Sequence, residues 1–257
     1  MTADLPPPAG LLDLSGRVIV VTGAGGNIGA GIARRLLAAG ATVMAHTRSS
    51  PVAVTDRDGR PLPHIEADLV APEAPRRVVE ATLDRFGRID GLVNNAAIQP
   101  LAPLAELGDD DWSAMIDTDL TAVHRLTRAV AGVMIDAGRG GSIVHLASIE
   151  ATQPAPAHEH YGVAKAGVVM HARAAASAYG GHGIRVNAVS PGLIDRPGLA
   201  DQWPEGVGRW IAAAPLRRLG TAEDVGDACV FLCSDLSRWI TGVDLVVDGG
   251  VLTRPTW

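Results

Sequence analysis

Short runs of aliphatic and β-branched residues alternate along this chain with longer stretches in which apolar positions recur every three or four residues. The short runs at 17–22, 41–46, 89–94, 142–148, 184–190 and 243–247, with a weaker one at 63–67, predict strands. The longer stretches at 27–39, 73–86, 109–137, 160–179 and 222–236 predict helices. A strand that is apolar at every position is covered on both faces, and such strands joined by helices build a parallel sheet between two helical layers. The expected fold class is α/β, a doubly wound three-layer sandwich with a central parallel sheet of about seven strands.

Two stretches break this rhythm. Residues 49–63 carry Pro51, Pro61, Pro63 and an Asp58-Gly59 turn signal, which argue against a helix. Residues 195–215 follow the sixth predicted strand and contain Pro197, Trp203, Pro204 and Trp210. Two roles stand open for them: closing over a substrate, or forming a contact between subunits.

The chain has 257 residues, 47% of them hydrophobic, with no internal repeat and no linker long enough to divide it. A single domain over 14–257 is expected, preceded by a flexible Pro-rich arm at 1–13. A net charge of −6 argues against nucleic acid or an anionic membrane as partner. No apolar run approaches the ~18 residues that span a bilayer. Residues 1–8 lack the basic-then-apolar order of a secretory signal. The two cysteines, Cys229 and Cys233, lie one helical turn apart with no second pair to complete a zinc site. They are expected as core residues of a reduced, cytoplasmic protein that binds no metal.

Chemistry concentrates in two places. Tyr161 and Lys165 stand at helical spacing, so both project from one helix face. An ammonium beside a phenol favours the phenolate and so makes tyrosine a usable general acid/base. Ser148 ends a predicted strand, where open α/β sheets bind their ligands. At the other end of the chain the first strand runs into Thr22-Gly-Ala-Gly-Gly-Asn-Ile-Gly29 and then a helix. Glycines at such a turn let the backbone approach a pyrophosphate, whose charge a helix N-terminus stabilises. Asn27 stands in place of the middle glycine of the T-G-x-x-x-G-x-G form of this loop; it tolerates positive φ and caps helices well.

Further along come Asp68-Leu69, Asn94-Asn95-Ala96-Ala97, Pro191-Gly192 and Ile240-Thr-Gly-Val-Asp-Leu-Val-Val-Asp-Gly-Gly250. Together, in this order, these motifs resemble the short-chain dehydrogenase/reductase family, whose members consist of a Rossmann domain of about this length. The resemblance spans roughly 14–250 and implies a role for each matching position. Thr22, Gly23, Gly25, Asn27, Ile28 and Gly29 would form the cofactor loop, and Asp68 and Leu69 would flank the adenine. Asn94 would steady the sheet, with Asn95 and Ala96 beside the cofactor and Ala96 near its ribose. Ser148 would bind the carbonyl oxygen and Tyr161 would exchange its proton. Lys165 would hold the nicotinamide ribose, past which Pro191, Gly192 and Ile194 would run. The implied activity is hydride transfer between a nicotinamide and a ketone or secondary alcohol. Two other readings stand beside it: a non-redox relative that dehydrates or epimerises, and a dinucleotide-binding protein whose catalysis has been lost.

Besides Asn27, three positions depart from the family pattern. Thr47 replaces the aspartate that would repel a 2′-phosphate, and Arg48 offers a forked cation suited to phosphate. NADP(H) is therefore the expected cofactor, with NAD(H) as the alternative. Asp119 stands in place of the fourth catalytic residue, an asparagine, where a carboxylate near Lys165 would weaken the field on Tyr161. Arg196 replaces a threonine that would bind the nicotinamide carboxamide; bonding the carboxamide, contacting the phosphates and turning outward are all open to it. Glu150, Gln153, His158 and His160 are expected to border a small-molecule substrate, with Gln99, Leu193 and Trp203 as further candidates. Both histidines are expected in an exposed loop. The resemblance also implies a homo-oligomer, tetramer or dimer, built through the helices after strands four and five and the C-terminal segment.

Overall fold

The computed structural model describes residues 7–253; the first six residues of the predicted arm and residues 254–257 lie outside the described residues. Within the arm, Pro8–Leu11 forms one exposed helical turn, α1. Seven strands follow: β1 Val18–Thr22, β2 Thr42–Thr47, β3 His64–Glu66, β4 Gly91–Asn94, β5 Gly141–Leu146, β6 Ile184–Pro191 and β7 Asp244–Val247. All pair in parallel, in the order β3-β2-β1-β4-β5-β6-β7. The order reverses direction between β1 and β4, which opens a crevice at the C-terminal ends of these strands.

Eight further helices connect the strands: α2 Asn27–Ala38, α3 Ala74–Phe86, α4 Asp109–Ile116, α5 Ala122–Ala137, α6 Glu159–Tyr179, α7 Leu199–Gln202, α8 Pro204–Ala213 and α9 Ala222–Cys233. Strand side chains alternate between two cores, which explains why the strands read as continuously apolar. Ile19 and Val21 of β1 pack with Ile32, Leu36, Val225 and Leu232 from α2 and α9. Val20 faces the other way, into Val78, Leu126, Val130, Val168 and Ala172 from α3, α5 and α6. Cys229 and Cys233 are buried free thiols of the first core, as the sequence predicts. Helices α2 and α9 touch at Gly31, where a Cβ would come within 2.4 Å of Ala222.

The structure departs from the sequence reading at element ends. The long helix predicted over 109–137 is interrupted by one wider π-helical turn, Asp117–Thr121, between α4 and α5. Such a bulge re-aims side chains and is frequent at functional sites; it carries Asp119. The ladder of β5 stops at Leu146, and Ser148 continues extended, with φ −164°, into a 3₁₀ turn at Ile149–Ala151. Helix α9 ends at Cys233 because Ser234 is extended and caps the next turn through its side chain. Residues 49–63 contain no helix, as expected, and Gly59 turns with φ +76°. No described helix is long and apolar enough to cross a membrane.

Candidate active site

The crevice begins where β1 ends. Thr22 is buried, and its Oγ1 accepts the backbone N–H groups of Asn95 and Ala96 at 2.9 and 3.0 Å. The Asn95 amide in turn donates to the carbonyls of Thr22 and Gly23. These bonds lock the ends of β1 and β4 together across the crevice. A Cβ on Gly29 would lie 2.1 Å from the Gly23 carbonyl, and one on Gly23 would lie 2.9 Å from Ala96 Cα. Only glycine allows this approach, and Gly23 also needs its φ of +66°. Gly26, the N-cap of α2, provides no side-chain acceptor, so the first-turn N–H groups of the helix are free for an anion. A loop kept bare by glycines and opening onto a helix N-terminus fits the pyrophosphate of a dinucleotide.

Asn27 corrects the sequence expectation. It is the first residue of α2, not its cap, and needs no positive φ. Its Nδ2 donates to the Asp195 carbonyl at 2.7 Å, tying the glycine loop to the segment after β6. At the end of β2, His46 and Thr47 are buried and Arg48 is exposed, with no ion pair among the described residues. Asp68 is exposed and accepts the Val70 N–H, while Leu69 packs against the α3–α5–α6 core.

Helix α6 presents Tyr161 and Lys165 inward, 8% and 2% exposed. Lys165 Nζ donates to the Leu146 carbonyl at 3.1 Å and pairs with Asp119 Oδ2 at 3.1 Å, 5.3 Å from the centre of the Tyr161 ring. Asp119 Oδ1 accepts the Ile98 N–H at 2.8 Å. The wider turn thus places a fully buried carboxylate against the lysine. Burial works against the Lys165 ammonium, but Asp119 and Tyr161 outweigh it and hold its pKa above the usual value. Burial raises the Asp119 carboxyl, against the pull of Lys165. Burial likewise raises the Tyr161 phenol; Lys165 pulls it down, while the Asp119 and Glu150 carboxylates add to the rise. The ammonium acts as the sequence argument requires, yet the net direction is upward, because desolvation of a buried phenolate is the larger effect.

Ser148 Oγ accepts the Glu150 N–H at 3.1 Å. Neither histidine lies in an exposed loop. His158 is only 16% exposed in its side chain, binds Glu150, and packs its ring on that of Tyr161. His160 is fully buried in the first turn of α6, with neither ring nitrogen hydrogen-bonded among the described residues. Helix α6 starts at Glu159, one residue before the predicted start, and its first turn carries His160 on the buried face. Gln99 and Gln153 are exposed, Leu193 is half-buried and Ile194 is buried. Trp203 is 47% exposed and lies over Gly206 and near Arg209. The tryptophan that approaches Gly192 is Trp210, which the sequence reading did not assign to the site. Arg196 turns outward and donates to Gln202.

A row of histidines also escaped the sequence reading. Buried His145 of β5 faces His171, and His171 faces exposed His124, at 3.1 and 3.2 Å. The Asn94 amide, which also reaches Thr127, donates to His145 Nδ1. That donor makes Nε2 the protonated nitrogen of His145, and the same logic passes along the row.

A family profile described as Enoyl-(Acyl carrier protein) reductase matches residues 23–252. The chain is 34% identical to 3beta-hydroxysteroid dehydrogenase 1 of Eggerthella lenta, over 95% of this chain and 96% of that one. It is 34% identical to 3-oxoacyl-[acyl-carrier-protein] reductase FabG of Escherichia coli, over 93% of this chain and 99% of that one. A crystal structure of a short-chain alcohol dehydrogenase from Sinorhizobium meliloti 1021, described there as putative, superposes with a TM-score of 0.89 at 34% identity, covering 95% of this chain and all of the other. A gluconate 5-dehydrogenase from Burkholderia cenocepacia, solved in complex with NADP and tartrate, superposes with a TM-score of 0.89 at 29% identity, covering 97% and 100%. With its seven-stranded parallel sheet and relatives matched over almost their whole length, the chain belongs to the short-chain dehydrogenase/reductase family of nicotinamide-dependent oxidoreductases.

Proposed function

We propose that this chain is an NADP(H)-dependent carbonyl reductase and alcohol dehydrogenase in which Tyr161 is the general acid/base. The observation that supports it most is the buried Tyr161 and Lys165 pair beside Ser148, at the C-terminal end of β5 and facing the glycine-rich crevice. The dinucleotide supplies hydride in reduction and accepts it in oxidation. The Ser148 hydroxyl orients the substrate oxygen. In reduction the Tyr161 O–H bond breaks and its proton goes to that oxygen; in oxidation the phenolate removes it. Lys165, fixed by Leu146 and Asp119, offsets part of the cost of the buried phenolate. The glycine loop and the α2 N-terminus hold the pyrophosphate, and Asn95, Ala96 and the Pro191–Ile194 strip line the rest of the cofactor site.

Arg48 binds the 2′-phosphate, which favours NADP(H). Its exposed, unpaired guanidinium and the buried Thr47 that replaces an acid support this choice. The protein is cytoplasmic and homo-oligomeric, a tetramer or dimer. Support for assembly comes from apolar side chains left exposed on α6, Val163 and Met170, and near β7, Val243, Val246 and the 97% exposed Trp239. The relatives are named for substrates that range from a hydroxysteroid to an oxoacyl carrier protein and gluconate. The test is a fluorescence titration with NADPH and NADH, using energy transfer from the chain's five tryptophans. Selective binding of NADPH, lost in Arg48→Ala, is expected; equal binding of both would refute the cofactor assignment.

A further inference from the structure

Beside Tyr161 stands a pair of side chains that hydride transfer by Ser148, Tyr161 and Lys165 does not require. His158 Nδ1 lies 3.0 and 3.2 Å from the two carboxylate oxygens of Glu150. Both side chains are mostly enclosed, 16% and 17% exposed. A carboxylate only accepts, so Nδ1 carries the hydrogen and Nε2 of the neutral ring is left as an acceptor. His158 Nε2 has no hydrogen-bond partner among the described residues, and the ring sits against Tyr161 with centroids 5.8 Å apart. Glu150 is anchored in turn, since its backbone N–H donates to Ser148 Oγ at 3.1 Å. The pair therefore places one oriented acceptor next to the two groups that would hold the reacting oxygen.

A strut between the Ser148 turn and α6 would need only the Glu150–His158 bond, and an apolar contact there would serve as well. Instead the site keeps a carboxylate that raises the cost of the Tyr161 phenolate. That cost is explained if the carboxylate fixes the histidine tautomer for a substrate. We propose that His158 Nε2, held by Glu150, accepts a hydrogen bond from a hydroxyl on the carbon next to the reacting one. The enzyme then acts on vicinal diols and the matching α-hydroxy ketones, which deepens the dehydrogenase reading above and rests on it. In oxidation one carbinol loses its C–H hydride to the oxidised dinucleotide and its O–H proton to Tyr161; the second hydroxyl is unchanged. A carboxylate on that neighbouring carbon meets the negative charge of Glu150 and is disfavoured.

The test uses matched panels of vicinal diols and mono-alcohols, from butane-2,3-diol and butan-2-ol to the cyclohexane-diols and cyclohexanols, with 3-hydroxybutyrate as the anionic probe. The wild type is expected to favour each diol by tenfold or more in kcat/KM over its mono-alcohol, and over 3-hydroxybutyrate, in line with one hydrogen bond to an acceptor held in place by a carboxylate. In His158→Phe the diol preference falls to near one through KM, and in Glu150→Gln it falls in the same direction; dinucleotide titration verifies that each variant is folded. Oxidation of mono-alcohols with no diol preference overturns this proposal and leaves the dehydrogenase reading intact. A preference that survives in both folded variants also overturns it. A wild type that binds dinucleotide and oxidises neither panel sinks both readings together.

Discussion

Replacing Asp119 with asparagine isolates the charge that most separates this site from its family pattern. Asp119 Oδ2 is 3.1 Å from Lys165 Nζ, which is 5.3 Å from the centre of the Tyr161 ring. The carboxylate is thus within about 8 Å of that ring, where a unit charge at an effective dielectric near 20 contributes about 2 kcal/mol, or about 1.5 pH units on the phenol. Asp119→Asn removes this charge while keeping an oxygen to accept the Ile98 N–H. The phenolate becomes easier to form, so the acid limb of kcat/KM for alcohol oxidation moves down by about 1 to 1.5 pH units. The same change strips a buried ammonium of its counter-ion, at a cost of roughly 3–5 kcal/mol, so rates are read well below the melting temperature of the variant. A limb that stays within about 0.3 units of the wild type in a folded variant refutes the reasoning.

Three other outcomes follow from the geometry. Burial holds His145 down to about 3, and burial with His124 lowers His171 as well. Both bind protons less readily folded than unfolded, so their stability contribution is complete above about 6.5. It drains away as pH falls from there, for His145 by about 1.4 kcal/mol per pH unit down toward 3; urea unfolding across this range, flat in the wild type, would contradict it. Gly29→Ala drives a Cβ into the Gly23 carbonyl and is expected to abolish dinucleotide binding in the titration while leaving far-UV circular dichroism intact. Thr221 caps α9 in a reciprocal box with Asp224. Thr221→Ala is expected to cost about 1 kcal/mol in urea unfolding, and no change would argue against the cap.

The sheet was legible because its central strands are apolar on both faces, as Ile19, Val20 and Val21 illustrate by feeding opposite cores, whereas the edge strand β3, His64-Ile65-Glu66, gives only a weak signal. Tyr161 and Lys165 were legible because helical spacing alone brings them to one face. The wider turn at Asp117–Thr121 was not, since its sequence, Asp-Thr-Asp-Leu-Thr, has a single apolar residue and so no period by which to tell it from a regular helix. The direction of the Tyr161 shift was hidden for a different reason. The sequence names the nearby ammonium and the opposing Asp119, but not how deeply the phenol is buried, nor that Glu150 adds to the rise. His158 and His160 were misread because exposure at a helix start depends on which way the first turn faces, and no capping side chain announces it. The link from His145 to His171 and His124 joins residues distant in the chain and had no local signal.

The most direct test of the account compares the wild type with Tyr161→Phe, following oxidation of NADPH at the nicotinamide absorbance with a panel of ketones. Both proteins should bind NADPH with similar affinity, and the variant should lose turnover by about 10²–10⁴-fold, the contribution of a positioned general acid. A Tyr161→Phe protein that reduces ketones at the wild-type rate would contradict the central claim.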